Sequence, residues 1–573
     1  MLPEVERHEP APPSDRRLRG SIRLPILAGL CALVAVLPDV LKPPPYGWDQ
    51  SYALQAATRL AHGQGLTYSR AAFPDYVPDD LASPRYAYYA RYAPGYPVLI
   101  AALLQQGLAL PKAVILVKVA AYVLGWIAGG LIAARVFRRY TLLLWYVLLA
   151  IPFLRPVPLR DATDVLLWAV VAWWALALMG LVARLQRRGG ALQVIGLALA
   201  VGALCFVGVA FRWAGVFLAP ATGLALLLST HRAHRLWLAV VAILVCLDAA
   251  VLPALAMKQY VETQPNAGAN YITEAKPGWS TAGLQTSEPW LGLLARPFGA
   301  APLAERRDLP ELRTVTLAAT IAVLAALLVA VGRAFRPSAA PASSAATFSL
   351  IAALGYGCMA ASLLGLSAYL PPPRNFFFAD DWRYFTVMSL PIVLFVALSV
   401  ARLEAARPQL AGLVASAVIT AALIAPGLCA LSTLRPAVVA WQAAPGTPWV
   451  VPKSEQRVAV EREIAARHAE RVVVFTHRPT DFIAEDEVVA YYPSCVRSVE
   501  ALRAALSLTV LVVLPQGGDP KRPADDGERL AGLAIIHRFD LGLVAAGAGF
   551  EVYAGEVAVG SGQGEAATPA AGG

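Results

Sequence analysis

The sequence predicts a membrane protein: an all-α bundle of about eleven transmembrane helices, followed by a small α/β domain outside the membrane. Hydrophobic residues make up 58% of the 573 residues and charged residues only 15%, against about 25% in ordinary globular domains. Mean hydropathy is +0.57. Apolar runs of bilayer-spanning length, about 20 residues, recur up to residue 430, and later runs shorten to strand length. Such a chain has too few polar residues to cover a water-soluble core.

Eleven apolar segments are candidate membrane spans. The first follows a basic N-terminus, residues 1–22, and no small-residue cleavage site comes after it, so we expect an uncleaved span and not a removed signal peptide. The third segment is short, and the division within 192–230 is open. The candidates are 23–41, 113–134, 140–154, 164–183, 192–210, 213–230, 236–257, 313–331, 345–369, 384–401 and 409–430.

Arginine clusters in alternate connections predict the orientation of these spans. Under the positive-inside rule this side is cytoplasmic, together with the N-terminus, and the long loops 42–112, 258–312 and 370–383 lie outside. We therefore expect a multi-pass protein of the bacterial inner (plasma) membrane. Counting 94–110 as a span would invert every later loop, so we interpret it as a helix at the outer interface. The clusters contain Arg135, Arg138, Arg139, Arg184, Arg187, Arg188, Arg232, Arg235, Arg333, Arg336, Arg402 and Arg407.

The segment 23–435 is thus the predicted transmembrane domain, and residues 436–556 are predicted to form an extracytoplasmic α/β domain. Strand-length runs at 471–475 and 509–514 alternate with helical patterns at 454–469 and 498–507, and 541–554 ends in a possible hairpin. Residues 557–573 are Gly/Ala-rich, which predicts a disordered tail.

Composition also argues against several function classes. The net charge of +10 comes mostly from the short clusters between spans, which is typical of membrane orientation and not of nucleic-acid binding. The six cysteines and the histidines show no metal-ligand spacing, so we expect no cofactor; a divalent metal stays open, although no motif supports one. Because no Gly-rich phosphate loop is present, direct use of a soluble nucleotide is not expected.

Two acidic motifs stand at the outer ends of different spans. Asp49 follows the first span, and Asp161 and Asp164 precede the fourth, where a spacing of three places them on one helix face. Each carboxylate could cap a helix, with Arg160 as a counter-charge, or act in proton transfer at the membrane surface. Chance rarely supplies two such motifs on the same side, which favours a functional interpretation.

Basic residues mixed with tyrosines form two further candidates. Arg85 and Arg91 lie in a tyrosine-rich stretch that continues to Tyr96. This stretch could be an interfacial aromatic belt or could bind an anionic lipid headgroup through guanidinium groups. Arg383 and Tyr384 begin a late span, where the arginine could anchor the helix or neutralise a leaving phosphate.

Ionisable residues within spans also draw attention, because burying a charge in lipid is costly. Lys118 lies near the outer end of the second span, and we expect its side chain to reach the membrane surface. Asp248 is deeper in the seventh span. We expect it to face the bundle interior, towards Arg212.

The order and sidedness of these motifs resemble the GT-C glycosyltransferases, and most closely the protein O-mannosyltransferase and lipid A aminoarabinose transferase type. Asp49 matches the first-loop carboxylate that is the catalytic base in this family. Arg160 and Asp164 match its Arg-x-x-x-Asp before span 4. The resemblance covers about residues 1–430.

Two more segments carry the same resemblance. The stretch Arg91–Pro97 resembles the basic, proline-containing segment that approaches the donor phosphate, and Arg383–Tyr384 resembles a late Arg-Tyr at a span start. The sequence departs from the family in having Asp49-Gln50 where many relatives have two adjacent acids, in Arg91 for a lysine and in Ala93 for a proline.

The resemblance implies a glycosyltransferase that uses a polyprenyl-phosphate sugar and transfers the sugar to an extracytoplasmic hydroxyl of a glycan, lipid or protein. The implied reaction is a single displacement with inversion. Two other functions stay open on the sequence: a transporter or lipid flippase, and a non-catalytic scaffold for envelope assembly. A transporter predicts charges along a path through the bilayer, whereas the charges here concentrate at the outer ends of the spans.

Overall fold

The architecture is known from a computed structural model, which describes residues 16–41, 46, 48–69, 86–89, 92–137, 146–154, 162–187, 190–229, 235–264, 325, 329, 343–369, 387–406, 438–439, 442, 453–468, 471–483, 488–493, 496, 502, 507–515, 524–547 and 549–558. The first part is helical apart from one two-stranded sheet. Its elements are α1 (Arg16–Leu41), α2 (Trp48–Ala61), β1 (Thr67–Ser69), β2 (Tyr86–Tyr88), α3 (Gly95–Gln105), α4 (Leu110–Val136), α5 (Ala162–Gln186), α6 (Ala191–Phe211), α7 (Leu218–Ser229), α8 (Leu236–Glu262), α9 (Ser344–Tyr369) and α10 (Ser389–Ala406).

Six helices in the described part of the chain are long and apolar enough to cross a membrane: Arg23–Leu41, Leu110–Val136, Thr163–Gln186, Ala191–Phe211, Leu236–Glu262 and Ser344–Ser362. They confirm six of the predicted spans as helices of sufficient length. Shorter apolar helices occupy the predicted spans 213–230 and 384–401.

The remaining predicted spans are not tested in the same way. The segment 409–430, and 313–331 apart from two residues, lie outside the described residues. In the described part of 140–154, a π-helical turn (Tyr146–Ala150) is followed by a 3₁₀ turn (Ile151–Leu154). The count of eleven spans stays a prediction.

Small residues let the long helices approach closely. A methyl group on Gly130 of α4 would lie 2.6 Å from the Cα atom of Pro25 in α1, and one on Gly202 of α6 would lie 2.7 Å from the carbonyl oxygen of Cys246 in α8. Such contacts are typical of membrane helices, which associate by close packing and not by escape from water. They build a continuous series in which α1 packs on α4, α4 on α5, α5 on α6 and α6 on α8.

Three buried tryptophans fill the centre of this bundle: Trp126, Trp168 and Trp174. The Trp168 ring stacks on Tyr122 with 5.4 Å between ring centroids. Its indole nitrogen donates to the Ser389 hydroxyl at 3.0 Å. This bond ties α5 to α10 in the bundle interior.

The first loop forms a compact layer at one end of the bundle. Strands β1 and β2 pair antiparallel, with Tyr68 opposite Ala87. Arg59 of α2 packs over the Tyr86 ring at 3.4 Å and donates to the Thr67 hydroxyl at 2.9 Å, which fixes the two strands to α2. Helix α3 covers the predicted interfacial segment 94–110 and has only 11 residues, a length of about 16 Å, too short to cross a bilayer.

The C-terminal part is an α/β sheet domain, as the alternation of strand and helix patterns predicted. Its described elements are α11 (Glu455–Arg467), β3 (Val472–Thr476), α12 (Thr480–Ile483), β4 (Val489–Tyr491), β5 (Leu508–Pro515), α13 (Ala524–Phe539), β6 (Gly542–Gly547) and β7 (Phe550–Val557). The strands have the order β4-β3-β5-β7-β6, with β3 parallel to β4 and β5, and β7 antiparallel to β5 and β6. The predicted hairpin is the pair β6 and β7. Most of the predicted helix 498–507 lies outside the described residues.

This domain docks on the first-loop layer through α12, which contacts α2. The Phe482 side chain in α12 is buried. The rest of the domain holds α12 in place, because Arg457 donates to the Asp481 carbonyl oxygen at 2.7 Å and Ser454 donates to the Asp481 carboxylate at 2.8 Å. The domain therefore lies at the same end of the bundle as α2.

Candidate functional site

Asp49 is the second residue of α2 and lies in its first turn. Its Oδ1 atom accepts a hydrogen bond of 2.8 Å from the Tyr92 hydroxyl group. The positive end of the helix dipole favours a negative charge at this position. The side chain is half-buried, so a molecule arriving from outside the bundle can reach it. A carboxylate held in this way can accept a proton.

A row of tyrosine rings supports Tyr92. Tyr52 and Tyr68 pack edge to face at 5.8 Å, Tyr68 and Tyr89 at 5.5 Å, and the Tyr89 and Tyr92 rings lie 5.8 Å apart. The row begins on α2 itself and returns to it through the Tyr92 bond to Asp49. Because aromatic pairs of this geometry stabilise each other beyond their buried area, the row fixes the phenol that orients the carboxylate.

Gln50, the next residue of α2, is fully buried and links two other elements. Its amide nitrogen donates to the Tyr96 hydroxyl at 3.3 Å, and its amide oxygen accepts from the Lys118 ammonium group of α4 at 3.4 Å. The expectation that Lys118 reaches the membrane surface was wrong: the residue is only 8% exposed. Its side chain turns into the bundle because a polar acceptor is available there.

The second acidic motif forms a buried ion pair. Asp164 lies in the first turn of α5, its side chain is 3% exposed, and the guanidinium group of Arg212 pairs with its carboxylate. Arg212 also donates to the Thr163 hydroxyl at 3.0 Å. The arginine is placed there because α6 ends at Phe211, and Arg212 follows in extended backbone. A carboxylate in a buried ion pair is poorly suited to accept a proton. Asp164 is better suited to hold the Arg212 guanidinium group in place.

Gly95 brings the two acidic motifs to one end of the bundle. It begins α3, between Tyr92 and Tyr96, and a methyl group there would lie 2.5 Å from the carbonyl oxygen of Ala210. Ala210 precedes Arg212 by two residues. The segment that bonds to Asp49 and Gln50 therefore rests directly on the end of α6 that supplies the Asp164 partner.

The expectation for Asp248 was wrong. Its side chain is exposed on α8, whereas Ala242, Cys246 and Ala250 form the buried face of that helix. A helix turns 100° per residue, so a position two residues from Cys246 lies on the opposite face. Arg212, which was expected to face Asp248, pairs with Asp164 instead.

Six predicted site residues lie outside the described residues, so their roles stay predictions: Arg85, Arg91, Arg160, Asp161, Arg383 and Tyr384.

Two other observations describe the chemistry of this end of the bundle. Burial raises the pKa of the Tyr88 phenol in β2 to about 12, with a further contribution from the neighbouring Tyr260. Within the part of the chain that the structure describes, no group of three or more His, Cys, Asp or Glu side chains could hold a metal ion.

Sequence reasoning missed three parts of this arrangement: Tyr92 as the hydrogen-bond donor to Asp49, Gln50 as a link between elements, and the inward direction of Lys118. The sequence offered a signal for a different contact: Gly95, in the Pro94-Gly95-Tyr96-Pro97 segment, marks a place where the backbone approaches another element.

Solved structures of two other proteins are similar to this chain. ArnT from Cupriavidus metallidurans in the apo state is 14% identical, with a TM-score of 0.47, and the match covers 92% of this chain and 97% of that one. ArnT from the same organism bound to undecaprenyl phosphate is 15% identical, with a TM-score of 0.40, and the match covers 94% of this chain and 98% of that one. The Archaeoglobus fulgidus oligosaccharyltransferase in complex with Zn and sulfate is 13% identical, with a TM-score of 0.45, and the match covers 91% of this chain and 72% of that one.

Each of these matches extends over more than nine tenths of this chain. No protein-family model and no curated protein sequence matches the chain.

Proposed function

We propose that this chain is an integral-membrane glycosyltransferase that moves a sugar from a polyprenyl-phosphate donor to an acceptor hydroxyl at the outer membrane face. One observation carries the proposal. The half-buried carboxylate of Asp49, in the first turn of a helix, is oriented by the Tyr92 hydroxyl at the end of the bundle where Asp164 and Arg212 also lie.

In the proposed reaction Asp49 is the general base. It takes the proton of the acceptor hydroxyl as the oxygen attacks the anomeric carbon from the side opposite the phosphate. The bond between that carbon and the phosphate oxygen breaks, its electron pair leaves with the polyprenyl phosphate, and the anomeric configuration is inverted. A positioned base of this kind contributes about 10²–10⁴-fold to the rate.

The leaving phosphate gains negative charge, which cationic side chains stabilise strongly where water is excluded. The candidates are Arg85, Arg91, Arg160 and Arg383, whose guanidinium groups suit bidentate binding of phosphate. Arg212 holds its charge at the same end of the bundle but is engaged with Asp164, so we assign it to positioning the site. The polyprenyl tail would lie among the apolar helices.

The proposed site faces the outside of the bacterial inner membrane. The C-terminal domain and α2 lie at one end of the bundle, and the arginine clusters place the opposite end in the cytoplasm. The acceptor is a glycan, a lipid or a protein that presents a hydroxyl group on the outer side. A phosphatase fused after Ala558 should therefore be active, and one inserted at Gly189 inactive; the reverse result would overturn this orientation.

The experiment that tests the function is sugar transfer from a labelled polyprenyl-phosphate sugar to endogenous acceptors in membranes that contain or lack this chain. Asp49→Asn keeps the shape and helix preference of the residue but cannot take the proton. Transfer should fall by about two orders of magnitude or more while expression stays normal.

Asp248→Asn is the matched control, because it makes the same chemical change on an exposed face of α8, and it should transfer at the rate of the unsubstituted protein. Full activity of Asp49→Asn would leave the base unassigned and favour a helix-capping or scaffold role. Equal transfer from a nucleotide sugar without a lipid carrier would exclude the proposed donor.

A further inference from the structure

A buried lysine contacts the residue that follows the proposed base in the chain. Lys118 belongs to the third turn of α4 and is 8% exposed, and its Nζ atom donates to the Oε1 atom of fully buried Gln50. Taking an ammonium group out of water costs several kcal/mol unless hydrogen bonds and charges compensate it. A lysine near the end of an apolar helix can normally avoid that cost by extending to the surface. In this chain the Lys118 side chain instead lies inside, with its Nζ atom at Gln50 of α2.

The lysine determines which way the Gln50 amide faces. An ammonium group has only donors, so the amide must turn its oxygen to Lys118 and its nitrogen to the other side. There the nitrogen donates to the Tyr96 hydroxyl at 3.3 Å. Lys118, Gln50 and Tyr96 thus form one directed series of hydrogen bonds across α4, α2 and α3.

Two members of this series, Gln50 and Tyr96, are close in the chain to the proposed base or to its hydrogen-bond donor. Asp49 precedes Gln50 in the first turn of α2, and Tyr92, which donates to Asp49, precedes Tyr96 by one helical turn of sequence. A rotation of the Gln50 side chain would break the hydrogen bonds that join α2 to Tyr96 of α3 and to Lys118 of α4.

We propose that Lys118 is a positioning residue, whose ammonium group fixes Gln50 and through it the geometry in which Tyr92 donates to Asp49. The inference rests on the proposed function, because the group that it positions is the proposed base. The competing role is direct contact between Lys118 and the donor phosphate, since lysine is a common phosphate-binding side chain.

A double-mutant cycle separates these two roles. Lys118→Met keeps the length of the side chain and removes its charge and donors, and Gln50→Leu removes the amide. If Lys118 acts through Gln50, each single variant should lower kcat about tenfold with an unchanged KM for the polyprenyl-phosphate sugar. The double variant should then be no slower than Gln50→Leu alone, and Lys118→Arg should recover part of the rate.

Two results would overturn the inference. If Lys118→Met raises KM and its effect multiplies with that of Gln50→Leu, the lysine contacts the donor itself. If Lys118→Met has the kcat of the unsubstituted protein, the lysine positions nothing that the reaction needs.

Hydrogen exchange of the full-length protein in detergent tests the inference without any assay of transfer. The backbone amides of residues 52–56 donate to carbonyl groups of the first turn of α2, so their exchange should accelerate at least severalfold in Lys118→Met. Amides of β3 in the C-terminal domain serve as the internal control and should not change. Unchanged exchange in α2 would contradict the inference. Faster exchange in a protein that transfers no sugar would instead support the positioning role and count against the proposed function.

Discussion

A single methyl group at Gly95 should disturb both acidic motifs at once. In Gly95→Ala the new Cβ atom would lie 2.5 Å from the carbonyl oxygen and 2.8 Å from the carbonyl carbon of Ala210. Both are backbone atoms, so no side-chain rotation can relieve the contact. Ordinary contacts require roughly 3.5 Å, which means that α3 and the end of α6 must separate by about 1 Å.

The expected cost follows from this displacement. Overpacking of one methyl group usually destabilises a protein by about 1–3 kcal/mol. Because Tyr92 and Tyr96 flank Gly95, the displacement also reaches the bonds to Asp49 and Gln50, and a misplacement of about 1 Å can reduce turnover by roughly 10²-fold. We expect a lower unfolding temperature and a turnover reduced by about 10- to 100-fold.

Thermal unfolding in detergent and the sugar-transfer assay measure the two effects. Gly196→Ala in α6 is the matched control, since nothing lies within 4 Å of a methyl group there. An alanine in a helix interior is favoured over glycine by about 1 kcal/mol, so this variant should be at least as stable and fully active. A Gly95→Ala protein with unchanged stability and turnover would refute the reasoning that this close approach holds the site together.

Two further predictions concern charged groups. Arg212→Met leaves the Asp164 carboxylate, which is 3% exposed, without its cation, and should lower the free energy of unfolding by about 3–5 kcal/mol. Thermal unfolding should show a smaller loss for the double variant Arg212→Met/Asp164→Leu. An equal or larger loss in the double variant would contradict a buried ion pair. In the C-terminal domain, burial raises the pKa of Glu461, but hydrogen bonds and charges from Lys453 and Arg457 outweigh it and hold the pKa below its ordinary value of 4.5. The stability that this carboxylate contributes is therefore present above pH 4.5 and lost as the pH falls through the lower folded-state pKa. Glu461→Gln should flatten that loss in unfolding curves recorded from pH 7 to pH 3, and an unchanged acid dependence would show that other groups cause it.

Local patterns were enough to predict a helical membrane region followed by a C-terminal α/β sheet domain. An apolar run of about 20 residues has one low-energy outcome in a bilayer, because its backbone groups must bond to each other in a helix. Strand-length runs bounded by polar segments likewise predicted β3, β5 and the final hairpin. Asp49 and Asp164 were found for the same reason: a carboxylate at the start of a helix is visible in a short stretch of sequence.

Only the tertiary structure decided which of these groups meet. In a helix that is apolar all round, the sequence does not tell which face contacts a neighbour and which faces lipid, so Asp248 was assigned to the interior although it is exposed. The small residues Ala242, Cys246 and Ala250, spaced by four, form the buried face of α8. Weighing that spacing would have placed Asp248 on the other side.

The same reason applies to the site. That Tyr92 bonds to Asp49, that Arg212 pairs with Asp164 and that Lys118 turns inward to Gln50 depends on how α2, α3, α4 and the end of α6 pack. The sequence by itself determined a membrane helical chain with carboxylates in the first turns of two helices. The packing of helices that are far apart in the chain determined the partners of these carboxylates. Hydrogen bonds and ion pairs require side chains to lie within about 3–4 Å of each other in space, and separation along the sequence does not predict that distance.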